Sequence, residues 1–313
     1  MRMSDRPVFT RVHPNTSAFQ PRDGSVYVFA RSEEFRSAHI ELWHNSVQDV
    51  QLIQIADLGT EIEGHDIVRD KEVGRFRLRG QVAMERFWIS TGAQHGYLDI
   101  TGLSHHVWAP LLKSGLQVLD RLDVVYVEPG HYSFNLRPTE GQIFDLSDRI
   151  DGIRPLPGFA SIRHSAIDEF ILVPLLGFEG MRLAYVIEQL QPSSHNIVPV
   201  VGVPGFRAEY PFYAFEGNRR SLTESEAWKR VTFATANCPF DLFNVLASLA
   251  EYYNGKLMKL AIIGTKPHAL GAVLYKLAND LSVELIYDHP IRKSGRTAES
   301  DRVLEYPVSR LFK

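Results

Sequence analysis

SVYVFARSEEFRSAHIELWHNSVQDVQLIQI, residues 25–55, passes from a strand-like run through a helix-period segment to a second strand-like run. SVYVFA (Ser25–Ala30) is short, apolar and rich in Val and aromatic residues, which predicts a buried strand. Apolar residues then recur at helical spacing from Phe35 to about Asn45, and QLIQI (Gln51–Ile55) is strand-like again. Apolar strands alternating with helices read as a mostly parallel sheet covered on both faces.

The alternation continues along the chain. GYLDIT (Gly96–Thr101), a helix-length stretch from His105 to about Leu119 and DVVYVE (Asp123–Glu128) complete the first half. The second half repeats the order with EFILVPLL (Glu169–Leu176), a helical Met181–Gln191 and NIVPVVGV (Asn196–Val203). It goes on with a helical Pro239–Tyr253, KLAIIG (Lys259–Gly264), a helical PHALGAVLYKLAND and VELIYD (Val283–Asp288). An offset of 146 places Glu33 on Glu179, Arg36 on Arg182 and Ala38 on Ala184, so SEEFRSA lies over FEGMRLA. Later, an offset of 161 places Tyr126 on Tyr287 and Pro129 on Pro290. The drift implies insertions of unequal length, at 56–95 and about 204–238. The predicted fold is therefore α/β, with two tandem Rossmann-like lobes related by internal duplication. Residues 1–23 form an N-terminal extension, 24–150 the first lobe, 151–165 a linker with two Pro and two Gly, and 166–313 the second lobe.

Length and composition bound the function. At roughly 100–200 residues per domain, 313 residues fit about two domains. Lys plus Arg total 34 against 37 Asp plus Glu, a net charge of -3, which argues against a surface coated in basic charge. Direct nucleic-acid binding is thus not the favoured reading, although a local basic patch stays open. No apolar run reaches the roughly 18–20 residues of a membrane span, and the N-terminal stretch has no apolar signal core, which points to a cytoplasmic protein with no membrane partner. Cys238 is the one cysteine, so an intramolecular disulfide and a multi-cysteine zinc site are excluded. No cofactor or metal site is expected.

Candidate site residues fall where strands hand over to helices, the edge at which open α/β sheets bind ligands. Glu33-x-x-Arg36 and Glu179-x-x-Arg182 have i, i+3 spacing, so each Glu can orient its Arg toward an anion; a solvated salt bridge is the plainer reading. Asp99-Ile100-Thr101-Gly102 and Gly264-Thr265-Lys266-Pro267-His268 each precede a helix, whose free N–H groups favour phosphate. Thr101 and Thr265 equally suit capping, and Asp99 a buried turn. Beyond Asp288-His289, the loop with Arg292, Lys293 and Arg296 supplies cations for a phosphate, or a solvated loop balanced by Glu299 and Asp301. His106, His268 and His289 are the candidates for acid–base catalysis. The aromatic run EYPFYAFEG (Glu209–Gly217) reads as hydrophobic support for the sheet, with a base-stacking loop or partner surface as alternatives.

Two of these turns carry a resemblance. CRISPR-associated Rossmann-fold (CARF) sensor domains have a turn written approximately D-[IL]-T-G-G-T-K after a late strand. Asp99-Ile100-Thr101-Gly102 resembles its first part and Gly264-Thr265-Lys266 its last part. Leu103-Ser104 and Ile262-Ile263 stand where the rest of the motif would lie. The related SAVED sensors fuse two such units, which is similar to the duplication above. The resemblance implies antiviral defence and a nucleotide-type ligand such as a cyclic oligonucleotide, with a partner protein supplying the effector. Three functions are therefore open: an anion-binding sensor subunit, an enzyme cleaving a nucleotide or phosphodiester between the lobes, and a structural scaffold subunit. The sensor needs convergent donors, the enzyme a His and a carboxylate converging, and the scaffold a filled cleft with an apolar outer patch.

Overall fold

The run Ser25–Phe29 is buried at every position and hydrogen-bonds to a strand on each side. It belongs to a first series comprising β1 (Arg11–His13), β2 (Ser25–Phe29), β3 (Val50–Asp57), β4 (Glu61–Asp66), β5 (Lys71–Arg77), α1 (Gln81–Thr91), β6 (His95–Asp99), α2 (His105–Val118) and β7 (Arg121–Tyr132). There follow β8 (Phe134–Thr139), β9 (Gln142–Phe144), β10 (Ser147–Ile150), β11 (Phe170–Pro174), α3 (Gly180–Leu190), β12 (Val200–Gly202), α4 (Tyr210–Glu224) and β13 (Thr232–Ala234). The chain continues through α5 (Pro239–Tyr252), β14 (Leu257–Ala261), α6 (Lys266–Ala278), β15 (Val283–Ile286), β16 (Pro290–Arg292) and β17 (Thr297–Tyr306). The computed structural model describes residues 7–139, 141–160 and 170–312. None of its described helices is long and apolar enough to cross a membrane.

The α/β chain divides into two units. The first comprises Met1–Tyr132, Leu156–Gly158 and Thr297–Lys313; the second comprises Ser133–Pro155 and Phe159–Arg296. The first unit therefore does not end at residue 150, because β17 returns to it from beyond the second. Within the predicted linker, residues 151–160 divide between the units, and 161–165 lie outside the described residues, as do 1–6 of the predicted extension.

In the first unit eight strands form one sheet, ordered β1-β17-β7-β6-β2-β3-β4-β5. The four inner strands β7-β6-β2-β3 are parallel, while β4, β5, β17 and β1 join antiparallel. The sheet is thus mixed rather than mostly parallel. Its physical reason lies in the insertion at 56–95: the short Leu58–Glu61 turn permits only an antiparallel return, so β3, β4 and β5 form a meander. Residues 11–13 of the predicted extension are a sheet strand, paired with 303–305 of β17. The predicted helix from Phe35 folds as 3-10 turns at Phe35–Leu42 and His44–Ser46. Ser37 Oγ lies within bonding distance of the Ser32 and Glu34 carbonyls there, local bonds that compete with an α-helical ladder. Phe19, Tyr27, Phe29, Trp43 and Tyr97 fill the core on this face.

In the second unit β11, β14 and β15 are parallel. Parallel bridges Leu172–Ile197 and Leu175–Val200 attach the parallel pair β12–β13 to β11. The strand order is then β13-β12-β11-β14-β15, and it reverses between β11 and β14. Leu172, Leu183, Val186, Val201, Leu222 and Ile263 are among the residues packed beneath it.

Candidate functional site

The reversal between β11 and β14 is where a ligand crevice is expected in the second unit. Here the two strand-to-helix loops touch backbone to backbone. A Cβ on Gly264 would sit 2.8 Å from the Leu175 and Leu176 carbonyl oxygens, and one on Gly177 2.8 Å from that of Ile263. Only glycine allows this approach. Arg182, on the first turn of α3, lies across the same edge. Its Nε and Nη2 donate to Asp288 Oδ2 and Oδ1 at 2.7 and 2.6 Å, and Nη1 donates to the Ile263 carbonyl at 2.9 Å. Burial opposes the guanidinium charge, but the hydrogen bonds and charge of Asp288 outweigh it and raise the Arg182 pKa. Glu179 does not orient Arg182; its oxygens accept from the Leu146 amide and the Ser147 hydroxyl. The expected Glu179–Arg182 pair is thus replaced by two separate sets of bonds, because Asp288 offers a bidentate partner in a place shielded from water.

The Gly264–His268 turn is equally committed. Thr265 caps α6, accepting from the His268 amide at 3.2 Å and donating to the Ala236 carbonyl at 2.9 Å. Lys266 is only 5% exposed. His268 is fully buried, with Nε2 3.1 Å from the Thr235 carbonyl, and burial pushes its pKa down to about 4. It is therefore a neutral core histidine at physiological pH rather than an acid–base group. From above, α4 closes the edge: Asn218 Nδ2 donates to the Gly177 carbonyl, and Gly217 lies against Phe178.

The first unit repeats the pattern with different partners. Arg36 is buried and bonds to Glu34, not to Glu33, at 2.7 Å from Nε and 2.6 Å from Nη2, while Nη1 donates to the Val127 carbonyl. Glu33 is exposed. The 3-10 turns account for this, since they break the i, i+3 face on which the expected pairing relied. Asp99 is buried and accepts from His39 Nε2 at 2.8 Å, Tyr27 Oη at 3.0 Å and the Thr101 amide at 2.8 Å. Burial works to raise its pKa, but the bonds from His39 and Thr101 hold it below the usual carboxylate range. Trp43 Nε1 faces His39 Nδ1 at 3.3 Å; indole only donates, so the His39 proton sits on Nε2, toward Asp99. Thr101 Oγ1 accepts from the Val127 amide. Asp99 and Thr101 therefore close a turn from within and do not face solvent.

Three sequence-predicted groups lie nearer the surface. His289 Nε2 is 3.0 Å from the Arg154 carbonyl, and its neighbour Asp288 is held by Arg182, so the two form no catalytic pair. Lys293 bonds to Asp145, with Asp148 at 3.9 Å, and the Asp145 hydrogen bond pushes its pKa up. Lys293 and Glu179 share a pocket of about 210 Å³, but Asp145 and Asp148 line it too, so three carboxylates meet one cation there. Arg292 pairs in register with Ser147 on β10, and Arg296 supplies a carbonyl to the Ser133 amide. His106, at the start of α2, has Nε2 2.8 Å from Asp57 Oδ2, at the end of β3. Burial works to raise the Asp57 pKa, and the bonds from His106, Gly59 and Ser104 outweigh it and lower it. His105 is buried beside Trp108, and among the described residues no set of three His, Cys, Asp or Glu is placed to hold a metal ion.

A second, more apolar pocket of this unit lies along α4. A groove of about 490 Å³ is lined by Phe212, Phe215, Leu222 and Trp228, with Glu216 and Arg219 among its polar residues. Phe212 is 74% and Trp228 57% exposed, so the EYPFYAFEG run does more than support the sheet. Its signal in the sequence is the i, i+3 pair Phe212 and Phe215, followed by the i, i+3 pair Glu216 and Arg219. Glu34, His39, Asp57 and Tyr27, which organise the first unit's edge, carry no such pattern. No protein-family model and no curated protein matches the chain.

Proposed function

We propose that this chain is a docking subunit of a multiprotein antiviral-defence assembly in the cytoplasm, with a partner supplying the effector. One observation carries the reading: the strand edge of the second unit is filled by its own backbone and ion pair, while an aromatic groove stands open on α4. Exposed aromatic patches of this kind mark interaction surfaces. The assignment to defence rests on the resemblance of Asp99–Gly102 and Gly264–Lys266 to CARF and SAVED turns.

We also propose that the two units are Rossmann-like lobes related by duplication. Two features support this. Strands β2, β3, β6 and β7 occur in the order β3-β2-β6-β7, and β11, β12, β14 and β15 in the order β12-β11-β14-β15. Arg36 and Arg182 each reach the end of the last parallel strand of their own unit, at Val127 and Asp288, which the offset of 161 relates.

A second reading, an anion sensor, is favoured by the gathering of Arg182, Thr265 and Lys266 around the reversal of strand order. Phosphate would have to take the place of Asp288 on Arg182. One experiment separates the two. The chain is titrated with mono-, di- and cyclic oligonucleotides by thermal shift, and co-expressed with the proteins of its locus for size-exclusion chromatography. Docking predicts no saturable shift and a stoichiometric complex that Phe212→Ser and Trp228→Ser abolish without lowering Tm. A saturable shift lost in Lys266→Ala establishes the sensor instead, and neither result sinks both readings.

A further inference from the structure

The part of α4 that lines the groove is a single helical stripe. Phe212, Phe215, Glu216, Arg219, Leu222 and Thr223 recur at i, i+3, i+4, i+7, i+10 and i+11. With a rise of about 1.5 Å per residue the stripe runs about 16 Å, or about three turns. Ile143 of β9 and Trp228, just beyond α4, line the same groove. Phe233, 51% exposed on β13, extends the aromatic surface and meets Phe215 edge to face, with ring centroids 6.5 Å apart. Charge singles out one residue of the stripe. From Pro204 to Val231 the carboxylates are Glu209, Glu216, Glu224 and Glu226. Arg207 pairs with Glu209 at 3.1 Å, Arg220 with Glu224 at 2.8 Å and Lys229 with Glu226 at 2.8 Å. The Glu216 side chain, half-buried in the groove, makes no ion pair or hydrogen bond among the described residues.

These two observations define the occupant. The backbone of α4 is bonded within its own helix and β9 contributes Ile143 alone, so the groove offers side chains and no ladder of free N–H and C=O groups. An occupant must satisfy its own backbone, as an α-helix does. Covering Glu216 with apolar surface would strand a charge away from water, so the occupant must also bring a cation to it. We propose, building on the docking reading above, that the groove takes an amphipathic helix of a partner protein. That helix is about three turns long, with apolar anchors at i, i+3 or i+4 and i+7 and a Lys or Arg paired with Glu216. Phe212 and Trp228 pack against the anchors. The stem of the basic residue covers aromatic surface while its charge reaches the carboxylate.

The probe is a phage-displayed library of random peptides of about four helical turns, selected on the full chain. Enriched peptides are synthesised and titrated by fluorescence anisotropy against the parent and its variants. They are expected to carry apolar residues at helical spacing with a Lys or Arg among them, and to be helical in the bound state by NMR. Phe212→Ser and Trp228→Ser are expected to abolish binding, and Glu216→Gln to weaken it by about tenfold, the worth of one charge-assisted hydrogen bond. Glu216→Lys is expected to weaken it further and to recover affinity for a peptide whose basic residue is replaced by Glu. Peptides that need Phe212 and Trp228 but bind in extended form, or are indifferent to Glu216→Gln, overturn the helix proposal and leave the docking reading standing. A dimer of the chain alone in sedimentation velocity that Phe212→Ser dissolves gives the groove to a second copy and overturns the proposal as well. A selection that returns no peptide sensitive to Phe212→Ser counts against the docking reading itself, and the proposal falls with it.

Discussion

Arg182 and Asp288 form a bidentate ion pair, at 2.7 and 2.6 Å, between the first turn of α3 and the residues just past β15. Asp288 is fully buried and Arg182 nearly so. The pair joins two elements far apart in sequence, at the carboxyl edge of the second unit's parallel strands.

Breaking that pair leaves one charge buried without its partner. Asp288→Asn is expected to cost about 3–5 kcal/mol of stability. Urea denaturation of the variant and the parent checks this; a loss under about 1 kcal/mol, the worth of a surface pair, contradicts the buried geometry.

His268 sets a pH dependence. Its folded pKa of about 4 lies below the ordinary 6.5, so between these values the unfolded chain binds a proton that the folded chain refuses. This contribution to instability is absent above 6.5, grows as pH falls, and reaches about 3 kcal/mol near pH 4. His268→Gln, whose amide can still donate to the Thr235 carbonyl, is expected to flatten that slope in denaturation curves taken from pH 7 to 4.5.

Gly217 lies inside α4, where alanine is ordinarily better by about 1 kcal/mol. Its Cβ, however, would fall 2.0 Å from the Phe178 carbonyl oxygen. Gly217→Ala is therefore expected to lower Tm despite its helix propensity. A rise in Tm would show that the loop after β11 does not pack on α4.

The last strand is a load on the first unit rather than the second. Val303, Leu304 and Tyr306 are fully buried, and β17 pairs with both β7 and β1. Ending the chain before Thr297 is expected to expose the edge of β7 and to make the first unit susceptible to limited proteolysis. Protection of the region 25–128 equal to that of the full chain would refute this.

Strand positions were legible because apolar runs such as 25–30 and 283–288 can satisfy burial on both faces only inside a sheet. The candidate site was legible as a location and not as a set of partners. Glu33 and Glu179 stand at correct helical spacing from their arginines, yet Arg36 chose Glu34 and Arg182 chose Asp288. Spacing describes a regular helix; the 3-10 turn at Phe35 and the arrival of β15 beside α3 are decided elsewhere in the chain. Asp57 escaped notice because the strand reading stopped at Ile55, two residues short of the carboxylate that holds His106.

The sequence by itself determined the alternation of strands and helices and the turns at which polar residues gather. These follow from local periodicity and turn chemistry, which neighbouring residues dictate. Only the tertiary structure decided that β17 returns to the first sheet, that the arginines are neutralised within, and that the aromatic groove faces outward. Those outcomes depend on which distant groups compete for the same buried partner, and burial makes that competition decisive because an unpaired charge has no water to turn to.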